Sequence, residues 1–167
     1  ELGEIWGYVT EGIFQTDEEA AQHADQSRLG ANWMAGDIKY KDLNGDGVIS
    51  SGSNTLDDPG DRKIIGNSTS RYNFGFSPDV QYKNWTLNLF FQGRLKRDYF
   101  PSNGNWNAFY PFNAGHVEKW YLHESWSPDN PDAYFPAPHV ATNTKKNYQT
   151  QTRFLQDAAY MRLKNVT

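Results

Sequence analysis

The chain has 167 residues, of which 37% are hydrophobic and 16% aromatic, and its formal net charge is −4. Its 16 Lys and Arg residues are scattered, so no basic stripe points to nucleic-acid binding. The absence of Cys excludes disulfides, thiolate zinc sites and cysteine nucleophiles, and no apolar run approaches the roughly twenty residues of a membrane-spanning helix.

Residues 5–14, IWGYVTEGIF, are rich in β-formers and are predicted to form a strand. Thr16 and Glu19 then have the spacing of a capping box, in which a hydroxyl and a carboxylate satisfy free N–H groups at a helix start. This pattern predicts a short polar helix over residues 17–29. The helix is expected to lie in a long loop that covers residues 15–70.

The clearest periodicity is the alternation of apolar and polar residues over 71–82 and again over 85–93. The break between these stretches falls at Lys83 and Asn84, so the two strands are predicted to form a hairpin. Each strand is about ten residues long and carries aromatic residues toward the ends of its apolar face, as membrane-crossing strands do.

Residues 94–152 lose this periodicity and are predicted to form a second long loop, rich in Pro, Asn and aromatic residues. Residues 155–166 alternate again and are predicted to form a last strand, with no cleanly apolar side. The expected fold is therefore all-β, with about four strands, two long loops and a short loop helix.

The first long loop contains DLNGDGVIS, in which oxygen-bearing side chains alternate ahead of a glycine. This order matches ligand positions 1, 3, 5 and 7 of an EF-hand calcium loop, the last of which binds through a backbone carbonyl. The acid of position 12 is absent, but an insertion of residues 53–60 would bring a later Asp to that place. The predicted calcium ligands are Asp42, Asn44, Asp46, Val48 and Asp61.

The alternative is a loop of Asx turns that satisfies its own backbone without metal. No nucleophile or open-site base accompanies the motif, so a bound cation is expected to order the loop and not to catalyse a reaction. The four His residues lack metal-ligand spacing, and no Ser stands in a nucleophile elbow. The chain is therefore predicted not to be an enzyme.

Aromatic residues of the second loop stand beside Asn and Asp, and flat exposed rings in such surroundings can hold sugars or peptides. The alternative is that these rings form a small core for the loop itself. The candidate substrate-binding residues are Trp106, Tyr110, Trp120 and Trp126.

Several segments together resemble one family, the SusC/RagA-type TonB-dependent transporters of Bacteroidetes outer membranes. The similar segments are, in chain order, GYVTEGIFQT, GDIKYKDLNGDGVIS, IIGN, RYNFGFSPDVQYKNWTLNLFFQG, DNPDAYFP and DAAYMRLKNVT. They extend over nearly the whole chain and occur in this order toward the C-terminal part of such transporters.

The resemblance implies that the chain is a portion of a large antiparallel transmembrane β-barrel in the outer membrane, surrounded by lipid. The two long loops would be extracellular and the turn at Lys83 and Asn84 periplasmic. The family's function implies import of oligosaccharides or peptides, with a SusD-type surface lipoprotein as lid. TonB would contact an N-terminal part that lies outside this chain.

Two other functions are compatible with the residues themselves. A freestanding extracellular β module, stabilised by calcium, would bind carbohydrate through its loop aromatics, but the membrane-length apolar strands argue against it. A calcium-dependent adhesion or dockerin-like module would normally carry a duplicated metal loop, and this sequence contains one copy.

Overall fold

The computed structural model describes residues 2–101, 119–138 and 146–167, which form ten strands, two short helices and one 3-10 turn. The strands are β1 (Glu4–Tyr8), β2 (Thr10–Ile13), β3 (Ile38–Tyr40), β4 (Arg62–Asn67), β5 (Tyr72–Phe76), β6 (Asp79–Tyr82), β7 (Trp85–Leu95), β8 (Asp98–Tyr99), β9 (Gln156–Asp157) and β10 (Tyr160–Val166). The helices are α1 (Asp17–Gln22) and α2 (Tyr121–Glu124), and the 3-10 turn covers Lys146–Tyr148. Among these residues, no helix has the length and apolar character needed to cross a membrane.

The strands pair β1 with β4, β2 with β3, β8 with β9, and β7 with β5, β6 and β10. The pairs of β2 with β3, of β8 with β9 and of β7 with its three partners are antiparallel. This confirms the predicted all-β class with a short loop helix, and antiparallel sheets fit a portion of a β-barrel. The described residues fall into two compact units, a sheet unit (2–5, 66–100 and 155–167) and a loop unit (within 6–65 and 101–154).

In the sheet unit β7 pairs with β10 on one side and with β5 on the other, and β6 continues the pairing of β5. The β6–β7 turn consists of Lys83 and Asn84, where the sequence predicts it, and Lys83 has a φ of 53°. The strand predicted over residues 71–82 is interrupted between β5 and β6. Pro78 lies at this interruption and has no N–H to donate to β7.

One face of this sheet is apolar and exposed. The pairs that lie opposite each other there are Tyr82 with Trp85, Val80 with Leu87 and Phe76 with Phe91. The rings of the last pair stack with centroids 4.7 Å apart and an interplanar angle of 11°. Trp85 is 79% exposed and Tyr82 is 66% exposed. We call this surface the apolar sheet face.

Strand β10 adds to the apolar sheet face through a β-bulge. Leu163 lies opposite Phe91, and after a register shift Val166 lies opposite Leu89. Because side chains alternate along a strand, the extra residue brings Val166 to the same side as Leu163. The sequence-based expectation that this strand has no cleanly apolar side is therefore wrong.

Other predicted elements are divided more finely in the structure. The strand predicted over residues 5–14 is interrupted at Val9, because β1 pairs with β4 whereas β2 pairs with β3. The strand predicted over residues 155–166 is interrupted between β9 and β10, where the Asp157 carboxylate accepts the N–H of Ala159 at 2.8 Å. The two predicted loops contain short strands, β3 and β4 in the first and β8 in the second.

Helix α1 begins at the predicted cap. The Thr16 hydroxyl accepts the N–H of Glu19 at 3.1 Å, and the Glu19 carboxylate accepts the N–H of Gln15 at 2.8 Å. The first bond satisfies an N–H group that the helix start leaves without an intrahelical partner, and the second fixes the residue before the cap. The N–H of Gln15, followed by the side chain of Lys39, keeps the pKa of Glu19 below its usual value.

The helix predicted over residues 17–29 ends early, at Gln22. The following chain bonds to the predicted metal loop instead of continuing the helix. The N–H of Asp25 donates to the carbonyl of Gly47, and the carbonyl of Asp25 accepts the N–H of Ile49, both at 2.8 Å. Long-range bonds have overridden the local helix preference here.

The loop unit has a core of its own, to which β1, β2, β3 and both long loops contribute. Its buried members are Tyr8, Ile13, Ile38, Tyr40 and Ile49, with Ala24, Leu29, Trp33 and Trp126 packed against them. Apolar burial of this kind is the main favourable term for a segment that otherwise lacks regular structure.

Beside this core lies a buried ion pair between Asp37 and Lys146, which are 0% and 3% exposed. These residues are 109 positions apart in the chain, so the pair joins the two regions predicted as separate loops. Asn147 donates its side-chain amide to Asp37 at 2.8 Å and accepts the N–H of Ile38 at 2.9 Å. Each charge thus has a polar partner in addition to its counterion, as a buried ion pair requires.

The same network extends to the Tyr40 side chain, which is fully buried. Its hydroxyl donates to the carbonyl of Lys146 at 2.8 Å and accepts from the side-chain amide of Gln151 at 3.2 Å. Burial raises the pKa of Tyr40 well above its ordinary value, so this hydroxyl stays protonated and available as a donor.

We expect Lys146→Met to lower the free energy of unfolding of the loop unit by about 3–5 kcal/mol, because Asp37 would be left buried without its counterion. Lys39→Met is the matched control. This variant removes the salt bridge between Lys39 and Glu19, whose side chains are 25% and 35% exposed. It should lower the free energy of unfolding by at most about 1 kcal/mol.

Hydrogen exchange of the Ile38 and Tyr40 amides in the full chain, measured for both variants, reports this difference. Equal protection in the two variants would show that the buried pair contributes no more than a surface pair.

Candidate functional sites

Asp42 opens the predicted metal loop and organises its first turn. Its carboxylate accepts the N–H of Gly45 at 2.6 Å and the N–H of Gly47 at 2.8 Å. Both glycines have positive φ angles, 77° and 80°, which side-chain-bearing residues rarely adopt. The N–H groups of Gly47 and Gly45 keep the pKa of Asp42 below its usual value, so this carboxylate is charged at neutral pH.

Asn44 and Asp46 bind each other within the loop. The Asn44 side-chain carbonyl accepts the N–H of Asp46 at 3.0 Å, and its amide donates to the Asp46 carboxylate at 2.9 Å. The other Asp46 carboxylate oxygen accepts the N–H of Val48 at 2.7 Å. These are Asx-type bonds that stabilise a turn through its own side chains.

Asp61 closes this loop from a distant position in sequence. Its side chain is fully buried, and its two carboxylate oxygens accept the N–H groups of Leu43 and Ser50, each at 2.8 Å. It also lies close enough to Asp42 to interact with that carboxylate. After the insertion, Asp61 therefore lies beside the turn that Asp42 organises, while its role as a metal ligand stays a prediction.

The donor types of this loop suit calcium, but their present arrangement does not form a complete metal site. Every carboxylate oxygen of Asp42, Asp46 and Asp61 already accepts a hydrogen bond, although each keeps a second lone pair. In the described part of the chain, no group of three or more Asp, Glu or His side chains is placed to hold a metal ion. A cation would require Asn44 and Asp46 to release their mutual bond.

The charges of this loop are nevertheless not neutralised by basic side chains. Within the described ranges, no Lys or Arg forms an ion pair with Asp42, Asp46 or Asp61. The neighbouring carboxylates of Asp42 and Asp61, which are held by neutral N–H groups, create a negative potential that favours a cation.

Of the four predicted substrate-binding aromatics, Trp106 and Tyr110 lie outside the described residues. Trp120 is 46% exposed at the start of α2. Its ring centroid lies 5.6 Å from that of Phe135 and 5.8 Å from that of Tyr121. One side of Trp120 thus belongs to a packed aromatic cluster, while the exposed part of the ring is available to a ligand.

Trp126 packs into the loop unit. Its ring lies against the core, and its indole N–H donates to the side-chain carbonyl of Gln15 at 3.1 Å. Gly36 approaches this ring so closely that a Cβ there would lie 2.7 Å from it. These contacts give Trp126 a packing role, while its contact with substrate stays a prediction.

A cavity of about 240 Å³ in the loop unit was not predicted. It is lined by Trp6, Asn54, Thr55, Leu56, Pro59 and Arg62. The only sign of this cavity in the sequence was the insertion of residues 53–60. The insertion lies beside β1 because of long-range strand pairing. Sequence spacing alone therefore could not reveal this cavity.

Comparison with known proteins gives relatives of one kind. No protein-family model and no solved structure matches the chain. The chain is similar to TonB-dependent receptor P3 of Formosa agariphila, with 29% identity over 99% of the chain and 15% of the receptor. TonB-dependent receptor P26 of the same organism is 29% identical over 93% of the chain and 14% of that receptor.

A third relative, TonB-dependent receptor P39 of Formosa agariphila, is 25% identical over 99% of the chain and 18% of the receptor. The chain thus spans less than a fifth of the length of each of these relatives. The matches nonetheless cover both the sheet unit and the loop unit. Nearly the whole chain is therefore homologous to one segment of TonB-dependent receptors, which confirms the resemblance to this group of outer-membrane proteins.

Proposed function

We propose that the chain supplies strands and outer loops to a TonB-dependent importer of the SusC/RagA type in the outer membrane. The observation that carries this proposal is the apolar sheet face, on which Trp85 and Val80 are 79% and 55% exposed. A continuous apolar surface of this kind is unfavourable in water but is what a transmembrane strand presents to lipid.

The opposite face of the same sheet supports this assignment because it is mostly polar, with Phe90 as an apolar exception. Asp79 lies opposite Asn88, and Gln81 lies opposite Thr86. Sheets with one apolar and one polar face form the walls of barrels that enclose water. The polar face would then line the interior of the importer.

The turn end of the hairpin has the composition of a membrane interface. Tyr82 and Trp85 flank the turn, and the Lys83 ammonium lies 5.3 Å from the centre of the Tyr82 ring. Aromatic rings and Lys side chains are favoured at the level of lipid headgroups. The short turn would face the periplasm, and the long loops would be extracellular.

In this arrangement the loop unit meets substrate and partner. Its own core and buried ion pair make it a folded structure, so it can present a defined surface to an oligosaccharide or peptide and to a SusD-type lipoprotein. Energy would come through TonB, which contacts other parts of such receptors. The chain would contribute binding and no chemical step of its own.

We also propose that the predicted metal loop takes calcium, with Asp42, Asn44, Asp46, the Val48 carbonyl and Asp61 as ligands. The favouring observation is the position of buried Asp61 beside Asp42, together with the unneutralised charge of the loop. The ion would order the loop. The alternative of a freestanding calcium-stabilised module that binds carbohydrate is not favoured, because the relatives are long receptors.

We expect Leu89→Arg to reduce folding of the full-length protein in the outer membrane, because it places a charge on the apolar sheet face at a cost of about 2–4 kcal/mol. Asn88→Arg is the matched control, because Asn88 is next to Leu89 in β7 and its side chain points to the opposite face of the sheet. The measurement is the folded fraction in purified outer membranes, from the migration of unheated samples in SDS gels. Equal loss in both variants would argue against a lipid-facing sheet.

We expect calcium to bind the full chain with a Kd of about 0.1–1 mM, the range of extracellular calcium modules. Asp46→Ala should weaken binding about tenfold, because it removes one charged ligand, whereas Asp129→Ala in the exposed β-turn region should leave it unchanged. Terbium luminescence and calorimetry measure both. Equal affinities in the two variants would refute this ligand set.

A further inference from the structure

The insertion that displaces Asp61 is itself a closed loop. Gly52 and Gly60 stand at its two ends with φ angles of 55° and 61°, and a Cβ on Gly60 would collide with the backbone nitrogen of Gly52. Inside the loop, the Asp58 carboxylate accepts both the N–H and the hydroxyl of Ser53, at 2.7 and 2.6 Å. The hydroxyl of Ser53 contributes most to lowering the pKa of Asp58. The insertion therefore has a defined shape.

This shape produces the cavity of about 240 Å³ beside β1. Trp6, Pro59 and Leu56 contribute its apolar surface, and Leu56 is 81% exposed. An indole ring with neighbouring apolar carbons is a surface against which the C–H face of a sugar ring can pack. Cavities for drug-sized ligands are larger, roughly 300–1,000 Å³, so this one fits a single ring.

The charge in the cavity comes from Arg62. Its guanidinium donates to the Asn54 side-chain carbonyl at 2.6 Å and to the Ser51 carbonyl at 3.1 Å, both neutral acceptors. Throughout the described ranges, no carboxylate forms an ion pair with Arg62. A guanidinium that is held in place by neutral acceptors and has no direct ion pair can still pair with an anionic group on the ligand.

Further polar groups surround the apolar surface. The Asn54 side-chain carbonyl accepts a hydrogen bond from Arg62, so its amide group can donate to a ligand. The Thr55 hydroxyl accepts the N–H of Asp58 at 3.1 Å and can still donate its own proton. A ring with many oxygen substituents can satisfy these donors. An amino-acid ring would leave them unpaired, which is unfavourable.

We infer that this cavity binds one acidic sugar unit, a pyranose ring with a carboxylate. The ring stacks against Trp6, the carboxylate pairs with Arg62, and the hydroxyl groups accept from Asn54 and Thr55. A role for this cavity in uptake rests on the proposed import function, but binding of the sugar to the cavity does not depend on import.

The test compares methyl glucuronoside with methyl glucoside, which share a ring and differ in the carboxylate, by titration calorimetry on the full chain. The glucuronoside should bind about tenfold more tightly. Arg62→Gln should abolish that preference, so that the two glycosides bind this variant equally.

Because Arg62 also holds the insertion, a second variant keeps the loop intact. Leu56→Glu adds a negative charge at the exposed rim and should weaken glucuronoside binding about fivefold. Leu122→Glu is its control, since Leu122 is 62% exposed in α2 and does not line the cavity.

Equal binding of the two glycosides would overturn the inference, as would unchanged glucuronoside affinity in both cavity variants. So would the absence of binding at about 10 mM, a concentration at which a 1 mM site would be about nine-tenths filled. The sugar-binding measurements do not require the protein to import anything. The comparison of membrane folding between Leu89→Arg and Asn88→Arg does not require it to bind a sugar. Failure of either proposal is therefore recognisable by itself.

Discussion

The buried ion pair between Asp37 and Lys146 is the constraint on which the loop unit depends. Removing two charges from water costs several kcal/mol, and only good geometry with additional hydrogen bonds offsets that cost. Asn147 and the chain around Met34 supply such bonds to Asp37. The pair consequently permits one arrangement of two regions 109 residues apart and disfavours arrangements in which either charge lacks its partner.

This constraint reaches the candidate metal loop through β3. Asp37 precedes β3 directly, Tyr40 ends it, and Asp42 follows two residues later. The buried strand thus fixes where the loop begins, while the bonds of Asp25 to the segment around Val48 fix where it ends. A loop positioned at both ends loses less conformational entropy when it orders around a ligand.

Local patterns predicted the parts of this structure that local forces decide. The turn at Lys83 and the cap at Thr16 follow from turn chemistry and hydrogen bonding within a few residues. The bulge that brings Val166 to the apolar side and the pairing of Lys146 with Asp37 depend on partners distant in the chain. No periodicity of the sequence encodes those partners, so they emerged only from the structure.

The two units differ in what they expose and what they bury: the sheet unit exposes large apolar side chains, whereas the loop unit buries charged groups beside its apolar core. In the sheet unit Trp85 is 79% exposed, whereas in the loop unit the charged Asp37 is fully buried. Hydrophobic patterning reports which side chains avoid water, and it cannot distinguish a protein core from lipid as their destination. Under the proposed function the sheet unit meets hydrocarbon with its apolar side chains, so little of its stability has to come from an apolar interior. The loop unit stands in water and can bury charges only by pairing them, which is why its specificity lies in polar contacts.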